Sequence, residues 1–196
     1  MKYISYYDSP IGRITLLAED GALTGLWFDE SEEKITSLVN MRTDAKELKL
    51  KRYGKTHGKV SAEKHAPRGD RNINSQVLKE TKLWLDEYFK GKMPDFMPKL
   101  SFGNATDFRK RVWNILLEIP FGQTVTYGDL AKRIAKEDGI EKMSAQAIGG
   151  AVGHNPISII VPCHRVIGAE GRLTGYAGGL DKKMILLMME EGEVAL

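Results

Sequence analysis

The chain has 196 residues, 42% of them hydrophobic, a formal charge of +3 and one cysteine. That is enough apolar material for one large domain or two small ones, and a single thiol excludes an internal disulfide and any cysteine-cluster zinc site. No apolar run, Ile157 to Val161 included, approaches the roughly 18 residues of a membrane span, and MKYISYYDSPIG lacks the apolar core of a secretory signal, so the expected setting is the reducing cytoplasm without membrane contact.

Residues 1 to 28 alternate like strands, with turn signals at Asp8-Ser9-Pro10 and Glu19-Asp20-Gly21 separating three candidates. Glu30 to Val39 reads as a helix. The stretch from Asn40 to about Asn74 has few aliphatics after Leu50 and no sustained period, so it reads as a long loop or insertion. Between Lys46 and Arg71 stand nine Lys or Arg (46, 49, 51, 52, 55, 59, 64, 68, 71) against three acids (47, 63, 70), a local charge of +6. A solvated basic loop and a nucleic-acid patch both fit that excess.

Helical period returns at SQVLKETKLWLDEYFKG, with Val77, Thr81, Trp84, Leu85 and Tyr88 on one face and Gly91 as a stop. Pro94 and Pro98 punctuate a linker, which places a domain boundary near residue 100. Beyond it, TDFRKRVWNILLEIPFG aligns Phe108, Val112, Ile115, Leu116 and Ile119 on one stripe. TVTYGDLAKRIAKEDG opens with Thr126 and Asp129 at capping-box spacing, with Leu130 and Ile134 facing inward. SAQAIGGAVGHN has Ser144 as N-cap and is otherwise nearly all Ala, Gly and Ile. Each Gly there costs about 1 kcal/mol relative to Ala, so the missing side chains must allow a close backbone approach, by a neighbouring helix or by a nucleic-acid backbone. The pair suggests a helix-turn-helix with its second helix as the reading element.

The sole cysteine sits in IIVPCHRVIG, Ile159 to Gly168. In a strand Cys163 and His164 would face opposite ways, but Pro162 cannot donate to a sheet ladder and marks a turn. A turn could bring the imidazole to the sulfur, directly or through water, and Arg165 adds charge that favours a thiolate. The plain alternative is a buried cysteine acting as a small hydrophobe. GAEGRLTGYAGG follows, with five glycines in twelve residues and Tyr176 as its only aromatic; it reads as a hairpin connection or a pocket wall. LDKKMILLMMEEG then forms a last helix whose core face is read as Leu180, Met184, Leu187 and Met188, with Glu190 at its end on the surface or behind His164.

Taken together, IPFGQTVTYGDLA, GGAVGHNPISIIVPCHRVIG and GYAGG…K…LL…E resemble the O6-alkylguanine-DNA alkyltransferases, from about Thr106 to Gly192. Residues 1 to 100 are similar more loosely, through SPIG and LDEYFKGK. The resemblance implies an α/β (α+β) fold: an N-terminal ribonuclease H-like domain, 1-100, with a basic insertion at about 40-74, then a winged-helix or helix-turn-helix-like domain, 101-196, carrying the cysteine loop. It implies one irreversible transfer of a methyl or alkyl group from O6 of guanine, and O4 of thymine, to Cys163 after base flipping from the minor groove. His164 would be the base through water, Glu190 would complete the relay, and Tyr127 would donate to the departing guanine. Ala177 N–H would donate to O6, the carbonyls of Cys163 and Val166 would accept from the exocyclic amine, Tyr176 would form a wall, and Asn155 would tie the helix-turn-helix to the loop. Ala145, Gln146, Ala147, Gly149, Gly150 and Arg165 would meet duplex DNA.

Gln146 stands where the family usually carries arginine, which implies weaker or more salt-sensitive binding. No metal or cofactor is expected, and the protein should act as a monomer. A non-catalytic lesion sensor or regulator on the same fold is the alternative, and a hydrolase using Cys163, His164 and Asn155 a third.

Overall fold

The computed structural model describes residues 2–29 and 68–196. They fall into two compact units, Met1–Asp86 with Phe96–Ser101 and Glu87–Asp95 with Phe102–Leu196. The helix expected at Glu30–Val39 and positions 40–67 of the basic stretch lie outside the described residues.

In the first unit three strands, β1 (Lys2–Ser9), β2 (Gly12–Glu19) and β3 (Ala22–Phe28), form an antiparallel meander. The second turn works because Asp20 and Gly21 both take positive φ, at 51° and 71°, as a tight two-residue hairpin turn requires. Ile14 through Ala18 of the central strand are all buried, so β2 is covered on both faces and loses the polar–apolar alternation of a half-exposed strand. Backbone bonds from Leu23 N to Lys99 O (2.7 Å) and from Ser101 N to Leu23 O (2.9 Å) bring the returning segment alongside β3.

The helix α1 spans Arg68–Tyr88. It therefore starts inside the stretch read as a loop to Asn74, and that reading is corrected for residues 68–74. Apolar periodicity could not reveal these first turns, because a polar side chain fixes them: Asn74, buried, accepts the Gly21 N–H at 2.9 Å. Val77, Thr81, Trp84 and Leu85 are buried as their spacing requires.

The second unit is helical. The helix α2 (Asp107–Leu117) starts at the cap Thr106 and buries Val112, Trp113, Ile115 and Leu116. After the short strand β4 (Val125–Thr126), Thr126 and Asp129 form the full capping box of α3 (Tyr127–Asp138), and Gly139 ends it in the left-handed conformation. Ser144 caps α4 (Ala145–Gly153), which turns Ile148, Ala151 and Val152 inward. Trp113 Nε1 donates to Ala151 O at 2.8 Å, tying α4 to α2. A parallel pairing of β4 with β5 (Val166–Ile167) sets the start of α3 beside the segment after the cysteine.

Two expectations fail here. The apolar run Ile157–Val161 forms no strand; it is a buried series of turns with Ile159 at φ 67°. A β-branched residue there costs roughly 1–2 kcal/mol, which its complete burial offsets. The last helix, α5 (Leu180–Glu190), is rotated from its expected phase. Its inward residues are Lys183, Leu186, Met189 and Glu190, while Leu180 and Met184 are each 47% exposed. Apolarity marks the wrong face because two charged side chains point inward, each paired with groups of the cysteine loop.

Candidate active site and nucleic-acid face

Pro162 ends the buried turns, and Cys163–Arg165 follow as one turn of 3-10 helix. Such a turn fans successive side chains around its axis by about a third of a revolution, so Cys163 and His164 no longer face opposite ways. Asn155, just past α4, holds this geometry. Its Nδ2 donates to Val161 O at 2.8 Å and to Cys163 Sγ at 3.1 Å, and its Oδ1 accepts from Ile157 N at 3.0 Å. The expected tie between helix-turn-helix and loop is thus a set of hydrogen bonds, one of which ends on the sulfur.

The thiol's electrostatics differ from expectation. Burial pushes the Cys163 pKa up, while the Asn155 hydrogen bond, the positive charge of Lys183 and backbone N–H groups of the turn work against it. Arg165 is not the activating cation. Its Nε and Nη2 donate to the two oxygens of Glu190 at 2.8 and 2.9 Å, and its Nη1 donates to Ile119 O at 2.6 Å. At 3% exposure, with its charge committed to Glu190, Arg165 is also removed from the candidate DNA contacts.

Glu190 is the hub of the buried network. Besides Arg165 it receives His164 Nε2 at 2.8 Å, Tyr88 Oη at 2.6 Å and Gly122 N at 3.1 Å. Burial pushes its carboxyl up, but the bonds and charges of His164 and Arg165 prevail and hold it well below the usual carboxylate range. A carboxylate can only accept, so His164 carries its proton on Nε2. Burial lowers the His164 pKa against the pull of Glu190 and keeps the imidazole neutral, and Nδ1 is buried with no hydrogen-bond partner among the described residues. The nitrogen left available is the basic one.

A pocket of about 180 Å³ has Cys163 in its lining, against the roughly 10–15 Å³ that one water needs. It gathers the expected Tyr127, Gly149, Asn155, Cys163, Tyr176 and Ala177, together with Val152, Gly153, Ser158 and Gly175, which sequence reasoning did not single out. Burial raises the Tyr127 hydroxyl pKa, with a hydrogen bond from Thr174 opposing and the Cys163 charge adding, so the group stays a donor. Ser158 likewise engages the Tyr176 hydroxyl. Val166 is absent from the lining. It is fully buried, and its carbonyl accepts Lys183 Nζ at 2.6 Å while Thr174 O takes the same ammonium at 2.7 Å. Lys183 was visible only as a spaced letter in the last motif, and Tyr88 only as an apolar-face residue.

On the outer side of the pocket, α4 exposes Ala145, Gln146, Ala147 and Gly150. Its small side chains leave the backbone open to close approach by a flat or ribbon-like partner.

A reading helix with a bare outer face and a thiol in a pocket behind it define a class: nucleic-acid-directed proteins whose cysteine accepts a group. The comparisons identify which. The model of the 6-O-methylguanine DNA methyltransferase ribonuclease-like domain matches residues 2–102, and that of the DNA-binding domain of the same proteins matches residues 107–192. A methylated-DNA–protein-cysteine methyltransferase of Mycolicibacterium paratuberculosis is 38% identical over 93% of this chain and 88% of its own. That of Haemophilus influenzae is 31% identical over 96% and 86%. The crystal structure of Mycobacterium tuberculosis O6-methylguanine methyltransferase superposes with TM-score 0.67 at 35% identity, covering 99% of this chain and 95% of that one. The structure of Mycobacterium tuberculosis OGT in complex with DNA gives 0.63 at 35% identity, covering 96% and 92%. The chain belongs to the methylated-DNA–protein-cysteine methyltransferase family, with its mixed α/β architecture of a ribonuclease-like domain and a helical DNA-binding domain.

Proposed function

We propose that this protein repairs DNA by direct reversal, taking one alkyl group from O6 of guanine, or O4 of thymine, onto Cys163. The division of labour follows the sequence boundary near residue 100 except at Glu87–Asp95, which pack with the second unit: the rest of 1-100 forms a supporting domain, and 101-196 hold DNA and perform the transfer. The observation that carries this reading is the placement of Cys163 in the lining of a pocket shared with α4 and Tyr127, while the next residue in the chain, His164, is hydrogen-bonded to Glu190.

The duplex lies against Ala145, Gln146, Ala147, Gly149 and Gly150, and phosphate contacts supply most of the affinity. O6 is unreachable by a thiol inside a base pair, so the damaged nucleotide flips into the pocket, against Tyr176 and the Ala177 backbone. The proton of Sγ passes to His164 Nδ1 through water, and Glu190 stabilises the imidazolium that results. Sulfur attacks the alkyl carbon, the S–C bond forms, and the C–O bond breaks with its electrons going to the guanine. The guanine recovers one proton, supplied through the Tyr127 hydroxyl, so the net change is the exchange of a thiol hydrogen for an alkyl group.

Because the resting thiol is raised by burial, ionisation belongs to the substrate-bound step. A thioether is a stable product and the chain has no second cysteine to displace it, so each molecule acts once, as a monomer, in the reducing cytoplasm.

The test is intact mass after incubation with a duplex containing O6-methylguanine. One added methyl, lost in Cys163→Ala, is expected. Unchanged mass with tight duplex binding would establish a lesion sensor, and continuing turnover would establish a hydrolase.

A further inference from the structure

Tyr88 closes α1, and its spacing gave it only to the helix's apolar face. Its hydroxyl lies among the buried charges instead. It donates to Glu190 Oε1 at 2.6 Å and stands 3.3 Å from His164 Nε2, with the two rings edge to face. A phenol beside a carboxylate donates its O–H to it as a hydrogen bond, which leaves the phenol oxygen's lone pairs facing the imidazole N–H. The Nε2 proton is therefore shared between Glu190 and Tyr88.

Resting on the alkyl-acceptor reading above, we propose that Tyr88 is a positioning residue of the transfer: by capping Glu190 and sharing the Nε2 proton, its hydroxyl keeps His164 neutral, with Nδ1 offered to Cys163. The titratable groups that face His164 are Glu190 and Lys183 from α5, Cys163 and Arg165 from its own turn, Tyr176 from the glycine-rich loop and Tyr88 from α1. Glu190 raises the proton affinity of the imidazole, and Arg165 and Lys183 lower it. Tyr88 moderates the largest attraction, because each donor on Oε1 weakens the hold of Glu190 on the imidazolium. Burial and Glu190 raise the Tyr88 hydroxyl far above its ordinary range, so it remains a neutral donor at every working pH.

Two replacements of opposite sense test this in the full chain. Tyr88→Phe removes the donor, and 3-fluorotyrosine at position 88 keeps its size while strengthening it. Single-turnover methyl transfer from an O6-methylguanine duplex is measured against pH, with duplex affinity measured alongside. The acid limb moves to higher pH in Tyr88→Phe, with transfer roughly threefold slower below it, and to lower pH in the fluorotyrosine protein, as expected for the loss or strengthening of one hydrogen bond to a charged group. Duplex affinity stays unchanged.

Limbs that coincide in all three proteins overturn the proposal, because a merely structural Tyr88 changes amplitudes but not that position. If Tyr88→Phe fails to fold, the isosteric fluorotyrosine protein decides alone. If the wild type accepts no methyl, the alkyl-acceptor reading is what fails. Titration of the His164 ring nitrogens by NMR, without DNA, then judges Tyr88 by the same two opposite shifts.

Discussion

His164 Nε2 and Glu190 Oε1 lie 2.8 Å apart with both side chains sealed from solvent, although 26 residues separate them in the chain. This pair, locked on its far side by Arg165, gives the molecule a distinctive response to acid. The His164 pKa is lowered from 6.5 by folding, so the unfolded chain binds a proton that the folded one refuses, and stability declines as pH falls below about 6.5. The Glu190 pKa is depressed from 4.5; its contribution is complete above that value and disappears as pH falls through the folded value. Urea midpoints across pH 7 to 3 should show both declines. Glu190→Gln should lose the lower one and, by leaving Arg165 buried without its counter-charge, lose about 3 kcal/mol at neutral pH. Equal neutral-pH midpoints for the two proteins would show that the ion pair adds nothing.

Asn155 should matter for both stability and reactivity. Asn155→Ala orphans the Ile157 N–H, takes from the Val161 carbonyl one of its two donors (the Cys163 N–H stays) and removes the donor at Cys163 Sγ. We expect a loss of about 2–3 kcal/mol in denaturant melts, from two or three hydrogen bonds near 1 kcal/mol each. The pH midpoint of Cys163 alkylation by iodoacetamide should also rise. An unchanged midpoint would mean that the Nδ2–Sγ contact has no electrostatic effect on the thiol.

Lys183 pins two carbonyls, Val166 just before the glycine-rich loop and Thr174 within it, and its positive charge lowers the thiol. Lys183→Met keeps the stem and deletes the ammonium. The loop 168–179 should become more sensitive to limited proteolysis, and methyl transfer should slow by roughly tenfold or more, on the scale of a lost charge-assisted hydrogen bond. Wild-type proteolysis and rate together would refute the assignment.

Gln146 is exposed near the start of α4 with no fixed charge. If α4 is the DNA face, Gln146→Arg should tighten duplex binding and, by neutralising one more phosphate, steepen the dependence of log K on log salt by about one, so Gln146 makes binding weaker but less, not more, sensitive to salt. The substitution should do so without altering the transfer rate of the bound complex. Equal affinity at every salt concentration would move the DNA face elsewhere.

The readability of this protein from its residues divides along a physical line. Thr126 with Asp129, Ser144 before α4 and Asp20-Gly21 between β2 and β3 were legible because caps and tight turns are settled within about four residues of chain. Cys163 in a turn followed from Pro162 for the same reason. The PCHRV motif pointed to the chemistry before any fold was known. Local signals misled at α5, where the apolar residues Leu180 and Met184 face solvent, and at Ile157–Val161, where a strand-like run is buried in turns. They misled again at Arg165, whose charge serves Glu190 and not the sulfur.

By itself, then, the sequence determined the element boundaries of the helical half and the family to which the chain belongs, and it singled out Cys163 as the proposed acceptor. Tertiary structure alone decided that Glu190 and Lys183 turn inward, that Tyr88 meets the imidazole and that burial raises the thiol. The reason is that the energy of a buried charge depends on partners brought together from distant parts of the chain, and neither periodicity nor propensity within one segment records who those partners are.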